Sequence, residues 1–463
     1  MKGAALLYLC LALGMPLGAQ TTLSYGKFGI VTLYPDLSAK SELVLFVSGD
    51  GGWNLGVVDM ARSLTGMDAL VGGINITAFL KNLQGGEEKC LYPAADFEAL
   101  SKFIQAKAGF PRYRPPILVG YSSGATLVYA LLVQAPPGTF KGAMSLGFCP
   151  DLPLTKPMCK GAGLEADRGP KGKGYSFLPA SNLQAPWVAF QGTIDQVCSP
   201  SFASDYVAKV KGAQLVDLPK VGHGFSVQKN WMPQFKQAFK SLADTPAMVQ
   251  RDRAPDVEGL PLVEVPASGG TPGDALAVVI SGDGGWASID RDMGDALSAA
   301  GLPVVGFDSL QYFWQKRTPE EAGKDLERIL RHYLAAWKKE RVLLVGYSLG
   351  ADVLPFMGSR LTADLQERVA LYALLAPSTT VDFEFHLTDW LGSFSHKNDL
   401  PILPEVLKLG GRRILCMYGD DDHSSLCPNL DPAKAVVKEV KGGHHFGRDY
   451  KSISEEILKE INP

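Results

Sequence analysis

What the chain lacks narrows its class first. Only 20% of its 463 residues are charged and the formal net charge is −3, so no excess of Lys and Arg exists to neutralise a phosphate backbone. Nucleic acid is therefore not an expected partner. No low-complexity tract interrupts the chain, and 46% of its residues are hydrophobic, which excludes a disordered protein. Cys-x-x-Cys and His-x-x-x-His spacings are both missing, so neither a zinc site nor any other metal or cofactor is expected. The apolar run Ala4–Leu17 is too short to cross a bilayer comfortably, and no later stretch reads as a transmembrane segment.

That run has another meaning. Lys2 precedes it and Leu17-Gly18-Ala19 follows it, the pattern of a secretory signal peptide, residues 1–19, cleaved after Ala19. Cys10 leaves with the peptide. Of the seven cysteines, Cys90, Cys149, Cys159, Cys198, Cys416 and Cys427 remain. An even number in an exported chain points to disulfides, with fifteen pairings open. Short loops favour Cys149 with Cys159 and Cys416 with Cys427.

The rest of the chain repeats itself. Ser48-Gly49-Asp50-Gly51-Gly52-Trp53 returns 233 residues later as Ser281 to Trp286, and Gly120-Tyr121-Ser122-Ser123-Gly124-Ala125 returns 226 residues later as Gly346 to Ala351. Gly192-Thr193-Ile194-Asp195 matches Gly419 to Asp422, and Gly222-His223-Gly224-Phe225 matches Gly443 to Phe446, in the same order. A repeat this long is two whole domains. Residues 20–244 form the first and 257–463 the second. Between them, 245–256 is polar, contains Pro255 and lacks an apolar period, as a linker does.

Within the second domain, Val278–Ile280, Val304–Phe307, Val342–Val345, Val369–Leu375 and Ile414–Tyr418 read as strands buried on both faces. Between two of them a helix is spelled out. Thr318 caps it, Pro319 opens it, Glu321 completes a capping box, and Leu326, Ile329, Leu330, Tyr333, Leu334 and Trp337 share a face. Strand–helix alternation of this kind predicts an α/β fold, two tandem hydrolase-like domains each built on a mostly parallel sheet.

Gly-x-Ser-x-Gly is weak evidence alone, but both copies follow an apolar strand and precede an apolar helix. That is the setting of a nucleophile elbow. A serine hydroxyl becomes nucleophilic only when a base takes its proton and a carboxylate orients that base. The order Ser, acid, His occurs twice: Ser348, Asp422 and His444 in the second domain, and Ser122, Asp195 and His223 in the first, the latter a second triad that need not turn over. Register with the first domain selects Asp422 from Asp420–Asp422 and His444 over His445. Oxyanion donors are expected from the amide after each serine, Leu349 or Ser123, and from the glycine-rich loop, Asp283 or Gly284 and Asp50 or Gly51. The second domain has Asp308 where the first has Asn75, and Asp352 where the first has Thr126. With Glu384 and Asp389, these residues suggest a substrate pocket for a cationic group.

The second domain resembles the VirJ family of exported bacterial virulence-associated proteins. The segments that carry the likeness are Ser281–Trp286, Asp308–Trp314, Gly346–Phe356 and Phe383–His386. With Phe148-Cys149-Pro150 and Gly192–Cys198, the whole chain resembles the longer AcvB type, in which a related amino-terminal domain precedes the VirJ-like one. The resemblance implies a periplasmic α/β-hydrolase fold and hydrolysis of the ester joining lysine to phosphatidylglycerol, an aminoacylated phospholipid head group met at a membrane surface. It also implies an association with type IV secretion, so secretion-system components are expected partners. The alternative from another class is a non-catalytic secretion-associated binding module on a hydrolase fold, and within the enzyme class a serine esterase of another substrate.

Overall fold

The computed structural model describes residues 21–245, 254–384 and 399–461, apart from 36, 87, 170, 171, 184, 271, 272, 287 and 449. The expected signal peptide, most of the linker, Asp389, Phe385 and His386 lie outside the described residues.

Two sheets form the frame. In the first half, β1 (Thr21–Tyr25), β2 (Gly29–Tyr34), β3 (Glu42–Val47), β4 (Ala69–Ile74), β5 (Ile117–Tyr121) and β6 (Gly142–Leu146) precede a small antiparallel patch of β7 (Asp151–Leu152), β8 (Ala166–Arg168) and β9 (Tyr175–Phe177). With β10 (Trp187–Gly192) and β11 (Ala213–Leu218), the main sheet runs β1-β2-β4-β3-β5-β6-β10-β11. The second half contributes β12 (Leu262–Val265), β13 (Ala275–Ile280), β14 (Val304–Phe307), β15 (Arg341–Tyr347) and β16 (Val369–Leu375), a short ribbon of β17 (Thr380–Val381) and β18 (Leu400–Pro401), then β19 (Ile414–Gly419) and β20 (Val436–Val440). Its sheet runs β12-β14-β13-β15-β16-β19-β20. Apart from the extra edge strand β1, the two orders are the same, and all pairings other than those of β1, β2 and β12 are parallel. Each domain is an α/β-hydrolase-like sandwich.

Period-two alternation explains why these strands are buried on both faces. In β3, Leu43, Leu45 and Val47 enter one core layer while Val44 and Phe46 enter the other. In β13, Leu276, Val278 and Ile280 separate from Ala275, Ala277 and Val279 in the same way. Helices cover both layers. The Pro319–Ala336 helix has its capping box, with Glu321 N donating to Thr318 Oγ1 (3.1 Å) and Thr318 N donating to Glu321 Oε2 (2.9 Å), and it buries Leu326, Ile329, Leu330, Tyr333 and Leu334.

The halves also touch. Trp314 Nε1 donates to Phe110 O (2.7 Å), Gln315 Nε2 to Pro111 O (3.1 Å) and Arg291 Nη2 to Pro137 O (2.9 Å). Leu310 and Trp314 pack into the first half's core.

One disulfide expectation is corrected. Cys149 bonds Cys198 and Cys159 bonds Cys90, so Cys149–Cys159 does not form, whereas Cys416–Cys427 does. Strand adjacency overrides closeness in sequence. Because β6 lies beside β10, the turns that follow them bring Cys149 to Cys198. Cys159 is instead tied to the segment around Cys90, since Cys159 N donates to Leu91 O (2.8 Å).

Candidate active site

Each motif serine lies between a parallel strand and a helix: β5 and Ser123–Gln134 around Ser122, β15 and Leu349–Gly358 around Ser348. Ser122 has φ +56° and ψ −122°, Ser348 φ +52° and ψ −120°. A residue with a Cβ is strained there by roughly 1–3 kcal/mol, and the surrounding glycines let the turn close. A Cβ on Gly120 would stand 2.1 Å from Gly124 O, and one on Gly346 2.3 Å from Gly350 O. On Gly124 it would meet Val47 O at 2.4 Å, and on Gly350 Ile280 O at 2.1 Å. The motif spacing is thus the packing of an elbow helix onto the strand beside it.

The other repeats converge on the two serines. His223 Nε2 is 3.0 Å from Ser122 Oγ, and its Nδ1 is 2.9 Å from Asp195 Oδ2. His444 Nε2 is 2.9 Å from Ser348 Oγ, and its Nδ1 is 2.9 Å from Asp422 Oδ2. The neighbouring His445 has a different partner, its Nδ1 lying 2.6 Å from the Tyr347 hydroxyl. Both carboxylates are buried and oriented by their own turns. Asp195 Oδ1 accepts from Val197 N (2.8 Å) and Cys198 N (3.0 Å), and Asp422 Oδ1 from Ser424 Oγ (2.8 Å) and Ser424 N (3.3 Å). Burial pushes the Asp422 carboxyl up, but the hydrogen bonds from His444 and Ser424 outweigh it and hold the group below its ordinary value. It is an anion at neutral pH.

The glycine-rich loop is pressed against each nucleophile. A Cβ on Gly49 would stand 3.0 Å from Ser122 Cβ, and one on Gly282 3.5 Å from Ser348 Cβ. Its neighbours hold it there. Ser48 Oγ accepts from Ile76 N (3.2 Å) and Ser281 Oγ from Ser309 N (2.9 Å), while the rings of Trp53 and Trp286 lie against Gly73 and Gly306, where any Cβ would collide. Ser123 and Leu349 occupy the first turn of their helices, where amides have no intrahelical acceptor. These amides, with those of Asp50 or Gly51 and Asp283 or Gly284, lie on the segments that meet at each serine.

Of the four carboxylates singled out for a cation, the three among the described residues have other partners. Asp308 caps the Ser309–Phe313 helix, accepting from Gln311 N (3.0 Å), as Asn75 caps Ile76–Leu83. Asp352 is buried and accepts from Ser378 N (2.6 Å), and burial pushes its carboxyl to about 8, with Asp283 and Asp422 repelling the charged form. Its counterpart Thr126 donates to Cys149 O, so this position ties the elbow helix to the next strand's turn in both halves. Glu384 faces Lys316 at 3.4 Å.

Several site residues escape sequence reasoning. Tyr121 donates to His223 O (3.0 Å) and Tyr347 to His444 O (3.4 Å), a role that the repeated Gly-Tyr-Ser could have signalled. Asp290, 3% exposed, accepts from Gly282 N (3.3 Å), and burial raises its carboxyl well above the ordinary range. Nothing in the sequence separates it from an ordinary first-turn acid. Beside Ser122 opens a cleft of about 320 Å³ lined by Asp50, Gly51, Asn54, Val57, Met60 and Tyr121. Ile194, Val197, Phe202 and Val227, on the segments around Asp195 and His223, are 60%, 68%, 49% and 48% exposed.

Fold and site together define an α/β-hydrolase scaffold carrying two Ser-His-Asp series. Residues 274–463, in the carboxy-terminal domain, match the family model described as bacterial virulence protein (VirJ). Similar solved structures each cover about half the chain. An esterase domain from Rhodothermus marinus is 16% identical over 49% of this chain and 98% of its own, with a TM-score of 0.33. An α/β serine hydrolase without a lid from Xanthomonas campestris is 19% identical over 50% and 94%, at 0.31. Esterase 2 from Thermogutta terrifontis, phosphorylated by paraoxon, is 13% identical over 53% and 100%, at 0.34. None of the curated proteins matches the chain.

Proposed function

We propose that the protein is a periplasmic serine hydrolase that cleaves the aminoacyl ester of lysyl-phosphatidylglycerol at the carboxy-terminal site. The observation that carries the reading is the unbroken series Ser348 Oγ, His444 and Asp422, with 2.9 Å at both steps, on a left-handed elbow. Ser348 Oγ attacks the lysyl carbonyl while His444 Nε2 takes its proton, and Asp422 stabilises the imidazolium. The oxyanion is received by the amides of Leu349 and of Asp283 or Gly284. His444 returns the proton to the departing phosphatidylglycerol hydroxyl, and water then releases lysine from Ser348 by the same route. The match of residues 274–463 to the VirJ model agrees with the resemblance that implies this substrate, and three disulfides among the described residues suit an oxidising compartment. Among the described residues no helix is long and apolar enough to cross a membrane.

A second reading places turnover at Ser122, favoured by the cleft beside it and by the exposed apolar side chains on the segments that carry Asp195 and His223, which suit a lipid ester. Lysine release from lysyl-phosphatidylglycerol in detergent micelles, by the parent and by the Ser122→Ala and Ser348→Ala proteins, decides. Loss with Ser348→Ala alone supports the first reading, and loss with Ser122→Ala alone the second. Undiminished release from the double variant would sink both. Failure of both serines to take a fluorophosphonate label would favour the non-catalytic, secretion-associated binding module.

A further inference from the structure

The glycine-rich loop needs its backbone held still, because its amides must point at an oxygen that becomes charged only in the transition state. The two halves meet this need differently. In the first half, Asn54 Nδ2 donates to Gly51 O (2.9 Å), so the loop is fastened by a side chain three residues along. In the second half the corresponding residue is Ala287, whose side chain carries no hydrogen-bond donor. The carbonyl that corresponds to Gly51 is nevertheless bonded. Lys102 Nζ, from the Pro93–Lys107 helix of the first half, donates to Gly284 O at 3.3 Å.

Lys102 is built into this place. It is 1% exposed, its ammonium is 3.1 Å from Glu98 Oε1 one helical turn away, and it lies 5.9 Å from the centre of the Tyr113 ring. Burying an ammonium is costly unless it is paired and hydrogen-bonded, so this site is specific to a cation. The surrounding contacts join the same two halves. The Tyr113 ring packs on Trp314 with centroids 5.6 Å apart, and Trp314 reaches Phe110 O, which keeps the lysine helix against the second domain. The ammonium also acts on Asp308, whose carboxylate caps the helix that follows β14.

We propose that Lys102 is a positioning residue for the carboxy-terminal site: the first domain supplies, across the interface, the donor that fastens the second domain's glycine-rich loop. The inference rests on the reading of Ser348 as a nucleophile. It makes the amino-terminal domain part of the second site, whatever its own triad does.

The test uses the full chain and a fluorophosphonate probe, whose phosphonyl oxygen occupies the oxyanion position. In a Ser122→Ala background, Lys102→Met is expected to slow labelling of Ser348 by roughly tenfold, the scale of a loosened catalytic geometry. With p-nitrophenyl acetate, kcat falls while KM holds. In a Ser348→Ala background the same change leaves the labelling rate of Ser122 at its parent value, which a general loss of folding would not. Adding Ala287→Asn, which puts a side-chain amide at the sequence position that corresponds to Asn54, restores Ser348 in the Lys102→Met protein. Lys102→Arg keeps the charge for Glu98 but moves the donor, and gives the same slowing at an unchanged melting temperature where methionine does not fold. Ser348 labelling indifferent to Lys102, or slowed equally with Ser122, overturns the proposal. A Ser348 that takes no label in the parent instead overturns the esterase reading on which it stands.

Discussion

Set side by side, the two halves share strand order, elbow geometry and a complete Ser-His-Asp series, yet what surrounds each serine has parted. Around Ser122 the exposed Ile194 and Val197 flank the acid; the corresponding residues of the second half are Asp421 and Ser424. Val57, Asn75 and Thr126 of the first half correspond to Asp290, Asp308 and Asp352 of the second. The elbow tolerates little change because its glycines are in contact with backbone, whereas the surrounding positions are free to follow the ligand. Duplication therefore preserves the chemistry and leaves the surroundings to diverge.

The largest expected effect separates the serines. Ser348→Ala should lower lysine release by about 10⁴-fold or more, and Ser122→Ala should leave it unchanged. Equal losses would break the comparison by making the two sites one unit. Next in size, Gly350→Ala, whose new Cβ would stand 2.1 Å from Ile280 O, should destabilise its domain by about 4 kcal/mol, and Gly124→Ala, at 2.4 Å from Val47 O, should do the same to the other. Thermal unfolding that resolves two transitions would assign each loss to its own half.

Asp352 has no acidic counterpart in the first half and gives the second a pH signature. Its carboxyl is raised from 3.8 to about 8 by burial, so across that window the folded chain keeps a proton that the unfolded chain has released. Stability from this group therefore falls as pH rises through the window and levels off above it. Asp352→Asn should remove that fall, gaining up to a few kcal/mol relative to the parent at pH 8.5 compared with pH 5. Melting temperatures at the two pH values check it, and parallel curves would refute it. A smaller effect mirrors the lysine fastening: Asn54→Ala should slow fluorophosphonate labelling of Ser122 by roughly tenfold while sparing Ser348. Smallest, Thr318→Ala, which removes the capping box of Pro319–Ala336, should cost about 1 kcal/mol in urea unfolding.

Legibility followed contiguity. The elbow strings, the capped helix and the buried strands are local patterns, so β14 and β16 fall where the apolar runs stand and Thr318 caps as its spacing implies. Repetition carried this further, because aligning the halves singled out Asp422 and His444 among neighbours of the same kind. The pairing of Cys149 is not legible in the sequence for the opposite reason. Its partner Cys198 is 49 residues away and is brought near by strand order, which the spacing of cysteines does not encode. Asp308 and Asp352 read in the sequence as part of a pocket for a cationic group, but their oxygens accept from Gln311 N and Ser378 N in the fold.

By itself, then, the sequence determined the duplication, the α/β class and the residue types of two hydrolytic series, since each is written in short strings whose periodicity and glycine placement have one geometric solution. Only the tertiary structure decided which carboxylates are already engaged, how the cysteines pair, and that Lys102 reaches Gly284 across 182 residues of chain. Those contacts arise where separate segments meet at the sheet edges and between the halves, and their partners depend on packing.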